Sequence, residues 1–382
     1  MNRRNARCDT LTWKIGVSLS LFCLLIFLKC RTASGTQSFP SNAPRCEQCH
    51  GMPARFGSSP LTVQRVGRAV DGKFVPGVEG GVLHRNGSSR AYTDDKVAGE
   101  RVSLSLLGDG YIEAIADKDI ERNADAQHLS KTGIDGEVVP APALESGGSG
   151  AAPIKPQTRP GRFGWKSQHG SLMSACADSL RNELGIRNRL YPQEYANHDA
   201  TAGPTPFDTS DPTTGETGLQ RLVDEIRRTS PPERDQPLAN GIEIQAGEKV
   251  FAEIGCALCH VATYKTVPPG TLINGGTYSV PNSIGGKTIH PYSDFLLHDI
   301  GTGDGIPQAA KPEYLDQSTA MKFRTPPLWG LRFRSWLMHD GKSATASEAI
   351  SRHGGEAAAV QKRYEQLTPL RKRRLQVFLS SL

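Results

Sequence analysis

Long hydrophobic runs are scarce in this 382-residue chain. The one apolar run of any length, Ile15–Leu28, has 14 residues, short of the roughly 20 that a spanning helix needs. Apolar residues make up only 37% of the whole, and Gly 40 and Pro 26 break up any long helical repeat. A polytopic membrane protein and a coiled coil are both excluded. Charge of one sign is lacking too. Of the formal +6, +5 sits in residues 1–35 (Arg3, Arg4, Arg7, Lys14, Lys29 and Arg31 against Asp9), which leaves +1 on the rest. A near-neutral body removes the electrostatic argument for a nucleic-acid partner. Strong period-2 alternation is missing as well, so strands are expected only as short hairpins in loops.

What is present begins with an export signal. A basic segment (Arg3, Arg4, Arg7, Lys14) precedes the apolar run, and small residues Ala33-Ser34-Gly35 follow as a cleavage site. This is the pattern of a secretory signal peptide over residues 1–35. An uncleaved anchor through residues 15–28 is the rival. Neither Cys23 nor Cys30 has the small preceding residue of a lipoprotein site, since Phe22 and Lys29 stand there. Either way the body is expected in the periplasm or outside the cell, an oxidising compartment.

Eight cysteines carry the strongest signal. Cys8, Cys23 and Cys30 fall in the signal region. Four of the remaining five form two identical patterns, Cys46-Glu-Gln-Cys49-His50 and Cys256-Ala-Leu-Cys259-His260. Cys-x-x-Cys-His is the attachment pattern of c-type haem. Two thiols about one helical turn apart reach the two vinyl groups of one porphyrin, and the adjacent His meets the iron. Zinc sites pair their Cys-x-x-Cys elements within about 15–20 residues, whereas these lie about 200 apart. Two covalent haem c groups are therefore expected, with His50 and His260 as proximal ligands. Cys176, among Met173-Ser-Ala-Cys-Ala, reads as a small buried residue.

Apolar spacing organises the rest. Gly247, Val250, Phe251 and Ile254 line one face of a short helix that runs into Gly255-Cys256. Thr368-Pro369 caps a terminal helix whose Leu375, Phe378, Leu379 and Leu382 share a face. Leu219, Leu222, Val223 and Ile226 mark a matching helix, stopped by Ser230-Pro231-Pro232. The expected architecture is mainly α. Two cytochrome c-like haem domains, residues 36–240 (with an insertion) and 241–382, follow the signal peptide. Residues 139–162, 200–217 and 266–289 read as irregular loops.

The motifs then become recognisable. His290-Pro-Tyr-Ser-Asp-Phe-Leu-Leu-His298-Asp299-Ile-Gly301 is followed by Arg324-Thr-Pro-Pro-Leu-Trp329-Gly330. Next come Leu337-Met-His339-Asp340-Gly341 and Glu348-Ala-Ile-Ser-Arg-His353-Gly354-Gly355-Glu356-Ala357. Upstream lie Gly108-Asp-Gly110-Tyr-Ile-Glu113-Ala114-Ile115 and Gly161-Arg-Phe-Gly164-Trp165-Lys166. Together they closely resemble the di-haem oxidoreductase family labelled thiol-oxidoreductase-like, related to bacterial di-haem cytochrome c peroxidases and to MauG. The label's thiol chemistry finds no second free cysteine beside Cys176.

The resemblance implies roles. His353 falls where peroxidase relatives carry a Met and MauG a Tyr, so it is the implied distal ligand of the second iron, with Met321 as the rival. That haem would be low-spin and would take electrons from a small redox-protein donor. The first haem would react with a small-molecule oxidant such as peroxide. Glu113, a lone polar group in Tyr-Ile-Glu-Ala-Ile, is the candidate acid/base there; His84 and His128 are alternative ligands of the same iron. His298, Asp299, His339 and Asp340 would orient loops or hold haem carboxylates. Trp165 and Trp329 would carry electrons or fill the core. One calcium ion between the haems is implied by some relatives. The rival function is a non-enzymatic di-haem electron-transfer cytochrome.

Overall fold

The helix that leads to the second motif is ended by a glycine. It is the fifth of eight helices among the described residues and is named α5, Ile242–Ile254. Gly255 takes φ 98°, a left-handed conformation that releases the chain into the turn Cys256–Leu258. The computed structural model describes residues 46, 49–59, 62–71, 73–76, 83–85, 96–148, 154–184, 186–192, 217–235 and 241–382. All of them belong to one unit, Pro40–Leu382. Residues 1–35, with the apolar run 15–28, and nearly all of 200–217 lie outside the described residues. Among the described residues no helix is long and apolar enough to cross a membrane.

The other helices are α1 Asp109–Glu113, α2 Asp117–Ser130, α3 Leu172–Leu184, α4 Gly218–Arg227, α6 Ala346–Ser351, α7 Ala358–Glu365 and α8 Pro369–Ser380. The capping follows the sequence. The Thr217 side chain accepts from Gln220 N, and that of Thr368 accepts from Arg371 N ahead of Pro369.

Two cores form. Ile112, Ile115, Phe163, Leu172, Leu219, Val223 and Ile226 bury together between α1, α3 and α4. Ile244, Val250, Phe251, Ile254, Leu375, Phe378 and Leu379 bury together between α5 and α8. At Gly247 the two helices touch so closely that an added Cβ would lie 2.1 Å from the Arg374 carbonyl oxygen.

One element departs from the expectation of hairpins alone. Four antiparallel strands, β1 Thr62–Val70, β2 Lys73–Pro76, β3 Leu83–Arg85 and β4 Lys96–Val102, form a sheet in which β1 pairs with all the others. Thr62 faces Val102 and Arg68 faces Lys96. Val63 and Val70 of β1, an odd and an even position, fall on opposite faces, so no alternating stripe reveals the strand. β4 ends by donating Val102 N to His339 O at 2.8 Å. It thereby delivers Ser103–Ser105 to the middle of the molecule.

Bonds cross residue 240. Arg101 pairs with Asp304 at 2.6 Å, and Asn274 donates to Glu113 at 2.9 Å.

Candidate functional site

The two Cys-x-x-Cys-His segments fold alike. His50 N donates to Cys46 O at 2.8 Å, and His260 N to Cys256 O at 2.9 Å. One tight turn thus sets both thiols and the following imidazole on the same side. Each segment lines its own cavity. The first, about 1530 Å³ to its mouth, is walled by Cys46, Cys49 and His50, residues of α1, α3 and α4, and the segment after β4. The second, about 1470 Å³ to its mouth, is walled by Cys256, Cys259 and His260 with residues of α5, α6, α7 and α8.

The second cavity contains two imidazoles prepared as ligands. His260 Nδ1 donates to Tyr292 O at 2.9 Å, and His353 Nδ1 donates to Ala349 O at 2.7 Å. Each bond selects the tautomer whose Nε2 keeps its lone pair. Burial lowers both pKa values, that of His260 to about 4, so both rings are neutral at pH 7. Neutral imidazole is the form that binds a metal. His353, placed here by α6 and the turn after it, therefore joins His260 on one cavity wall. Met321 is 46% exposed and lines neither cavity.

His298 also lines this cavity. It donates from Nδ1 to Glu356 at 2.7 Å and from Nε2 to Asp294 at 2.9 Å. Burial opposes its charge, but the two carboxylates outweigh that and hold the imidazolium well above its ordinary pKa. Cys259, Asp294 and His298 offer ligand-type atoms within 4.8 Å of one another. That cluster is an ion pair beside the Cys259 thiol, not an oxygen cage suited to calcium. His339 bonds Thr302 O at 2.7 Å, Asp340 pairs with Arg352 at 2.6 Å, and the Asp299 carboxylate accepts Gly301 N.

The first cavity is built differently. His50 is buried, and its Nδ1 has no protein hydrogen bond. The other histidine on this wall, His169, has its Nε2 tied to Asp178 at 3.1 Å. Three carboxyl groups line the cavity, those of Asp109, Asp178 and Glu183. Burial pushes Asp109 up to about 7, against the pull of Arg324.

Glu113 corrects the sequence reading. It is 0% exposed and absent from the cavity wall. Its carboxylate accepts Arg227 Nε at 2.7 Å, Arg227 Nη2 at 3.2 Å, Leu172 N at 2.8 Å and Asn274 Nδ2 at 2.9 Å. Burial alone would raise its pKa, but Arg227 and these donors lower it. A carboxylate that accepts four such bonds joins α1, α3 and α4, and it does not reach the cavity. Sequence reasoning missed Asp109, one helical turn earlier, and the His169–Asp178 pair. Asp109 stands in the same quoted motif, but only burial distinguishes it.

Of the alternatives, His128 is exposed and pairs with Asp135 at 3.2 Å, and the His84 side chain lies outside the described residues. Cys176 lines the first cavity as a buried thiol whose pKa burial raises well above the ordinary range. Trp329 lines the first cavity alone. Trp165 lines both, with Nε1 donating to Val102 O at 2.7 Å, so it stands in the partition.

The residues fit a haem in each cavity. Each supplies the two thiols and the imidazole of one Cys-x-x-Cys-His turn and mainly apolar walls.

A family model described as "Di-haem oxidoreductase, putative peroxidase" matches residues 78–382. Among solved structures, hydrazine synthase of Kuenenia stuttgartiensis is 20% identical, with 43% of this chain and 55% of that one covered and a TM-score of 0.27. A MauG-like protein associated with microbial copper homeostasis is 19% identical, with 48% and 62% covered and a TM-score of 0.27. This chain thus spans less than two thirds of either. No curated protein matches it.

Proposed function

Because the chain belongs to the di-haem oxidoreductase family, we propose that it is an exported di-haem c-type enzyme of unequal sites. A small redox protein delivers electrons at the C-terminal haem, and peroxide reacts at the N-terminal one. Residues 1–35 direct the export. Cys46, Cys49, Cys256 and Cys259 hold the two haems by thioether bonds. When bound, the haems supply one-electron storage.

The observation that carries this reading is the state of the second histidine in each cavity. His353 offers a bare Nε2 beside His260. Two imidazoles saturate that iron and make it low-spin, fit for storage rather than substrate. In the first cavity His169 ties Nε2 to Asp178 and keeps a buried, unpartnered Nδ1. In this reading that ring stays on Asp178, and His50 faces a position that a small oxidant can enter. Reduction of peroxide to two waters consumes two electrons and two protons. Asp109, with its pKa near 7, holds a proton in that wall at neutral pH. Trp165 in the partition gives electrons a short path between the sites.

The rival, a non-enzymatic di-haem electron-transfer cytochrome, requires a sixth ligand in the first cavity. His169 is the residue placed to supply it.

Quantified low-temperature EPR of the ferric, fully matured protein separates the two. One high-spin and one low-spin signal, each near one spin per chain, are expected. His353→Ala then abolishes the low-spin signal and leaves the other. Two low-spin signals in the parent protein would select the electron-transfer reading.

A further inference from the structure

Buried arginines in this protein keep carboxylate company. Arg101 pairs with Asp304 at 2.6 Å, Arg159 with Asp117 at 2.8 Å, and Arg227 with Glu113 at 2.7 Å. Arg162 also pairs with Asp117. The rule is general, because an unpaired buried charge is costly.

Arg324, which is buried, and Arg334, which is half-buried, break it. Arg324 is 4% exposed, and its Nε and Nη1 donate only to the carbonyls of Gly164 at 2.8 Å and Thr325 at 3.4 Å. Arg334 donates Nη2 to the carbonyls of Pro327 at 2.6 Å and Trp329 at 3.2 Å. Among the described residues no carboxylate pairs with either. Burial lowers both guanidinium pKa values to about 10, and the Arg334 charge lowers that of Arg324 further. Asp109 and, more weakly, Asp294 oppose this at Arg324; Asp109 is itself held near neutrality by burial, and Asp294 pairs with His298. Two cations therefore stand close together, desolvated and short of anions.

Their position identifies the missing anions. Both line the first cavity and the second, together with Val102, Leu104 and Trp165. Arg101 also lines the first cavity but is spent on Asp304, whereas Arg324 and Arg334 are the arginines among the described residues that line both spaces that fit haem. Haem carries two propionate groups, so two haems bring four carboxylates.

We propose that Arg324 and Arg334 are a shared carboxylate-binding bridge that takes a propionate from each haem. This rests on the reading that both cavities hold haem, and not on the identity of the oxidant. A guanidinium offers two parallel N–H groups to a carboxylate, which fixes orientation as well as charge. A cation shared in this way stabilises the reduced state of both irons. It also keeps the propionates ionised through the neutral range.

The test is a spectroelectrochemical titration of the holoprotein at several pH values between 6 and 8. Arg334→Gln is expected to lower both midpoint potentials and to make both pH-dependent. Arg334→Lys keeps the charge and loses the fork, so it is expected to restore most of the fall. Haem content per chain and the low-spin EPR signal are read on the same samples, as a check that the cavities are intact. Arg324→Lys is the second variant should Arg334→Gln fail to mature; a smaller fall at both haems is expected. Potentials that stay put, or a shift at one haem alone, would overturn the bridge while leaving the two-haem reading intact. One haem per chain in the parent protein would overturn both.

Discussion

The two cavities share an attachment turn and differ in almost everything around it. No carboxylate lines the second cavity among the described residues, and its two ligand imidazoles are neutral and ordered by backbone carbonyls. The first has three carboxyl groups on its wall and a histidine already engaged. The Cys-x-x-Cys-His turn therefore says only where haem is held. In the proposed function the opposite wall sets the role of each site: an apolar pocket with two imidazoles would store electrons, and a polar one would move protons. Arg324, Arg334 and Trp165 belong to both walls, so neither site can be altered at the partition without the other sensing it.

The largest expected effect removes a support of the first cavity while leaving its surface untouched. Glu113→Gln strips the charge from the buried pair with Arg227, and breaking such a pair costs about 3–5 kcal/mol. Chemical denaturation of the holoprotein should show that loss. The rate with peroxide of the fraction that stays folded should be unchanged, because Glu113 is not on the wall. The parent protein should feel the same pair through pH. Glu113 has its pKa lowered in the folded state, so its contribution is complete above the unfolded value near 4.3 and is lost as pH falls below that. A peroxide rate that collapses in folded Glu113→Gln would return the acid/base role to Glu113.

The next effect is at the wall itself. Asp109→Asn keeps the shape and removes the proton. The reaction of the reduced protein with peroxide should slow about 10²-fold, the lower end for general acid catalysis. In the parent protein the same rate should fall as pH rises through about 7, where Asp109 loses its proton. In Asp109→Asn that limb should disappear, while the spectra of the second haem stay as they were. Equal rates in stopped-flow mixing would make the polar wall of the first cavity irrelevant to its chemistry.

What was legible in the sequence was local. The Cys-x-x-Cys-His turns, the Thr368-Pro369 cap, the 218–227 helix and the helix into Gly255 are each set by residues a few positions apart. His353 was placed by its distance along a recognisable motif. Glu113 failed because a carboxylate in Ile-Glu-Ala-Ile reads the same whether it faces a reactant or an arginine 114 positions away. Asp109 and the His169–Asp178 pair were invisible for the same reason: their importance is burial and a shared cavity, neither of which has a spacing. The sheet was missed because β1 places Val63 and Val70 on opposite faces, and pairing along the chain from 62 to 102 replaces the stripe that would have announced it.

The smallest effect sharpens the comparison from the other side. In the second half α5 and α8 meet at Gly247, where a Cβ would come 2.1 Å from the Arg374 carbonyl oxygen and 2.8 Å from the Phe378 Cβ. Gly247→Ala gains helix propensity but must push the two backbones apart, and overpacking of this kind costs about 1–3 kcal/mol. Phe378 packs against Phe251 at 5.3 Å between ring centroids, and Phe251 lies 6.1 Å from the His260 ring. The displacement thus runs along a chain of rings to His260 of the second cavity. The expected outcome is a modest loss of stability in thermal unfolding, with a changed low-spin EPR signal and an unchanged high-spin one. A disturbance that reached the first haem equally would mean that the two cavities share more than their partition. The same substitution without any spectral change would mean that α5 holds its haem through the Cys256–His260 turn alone.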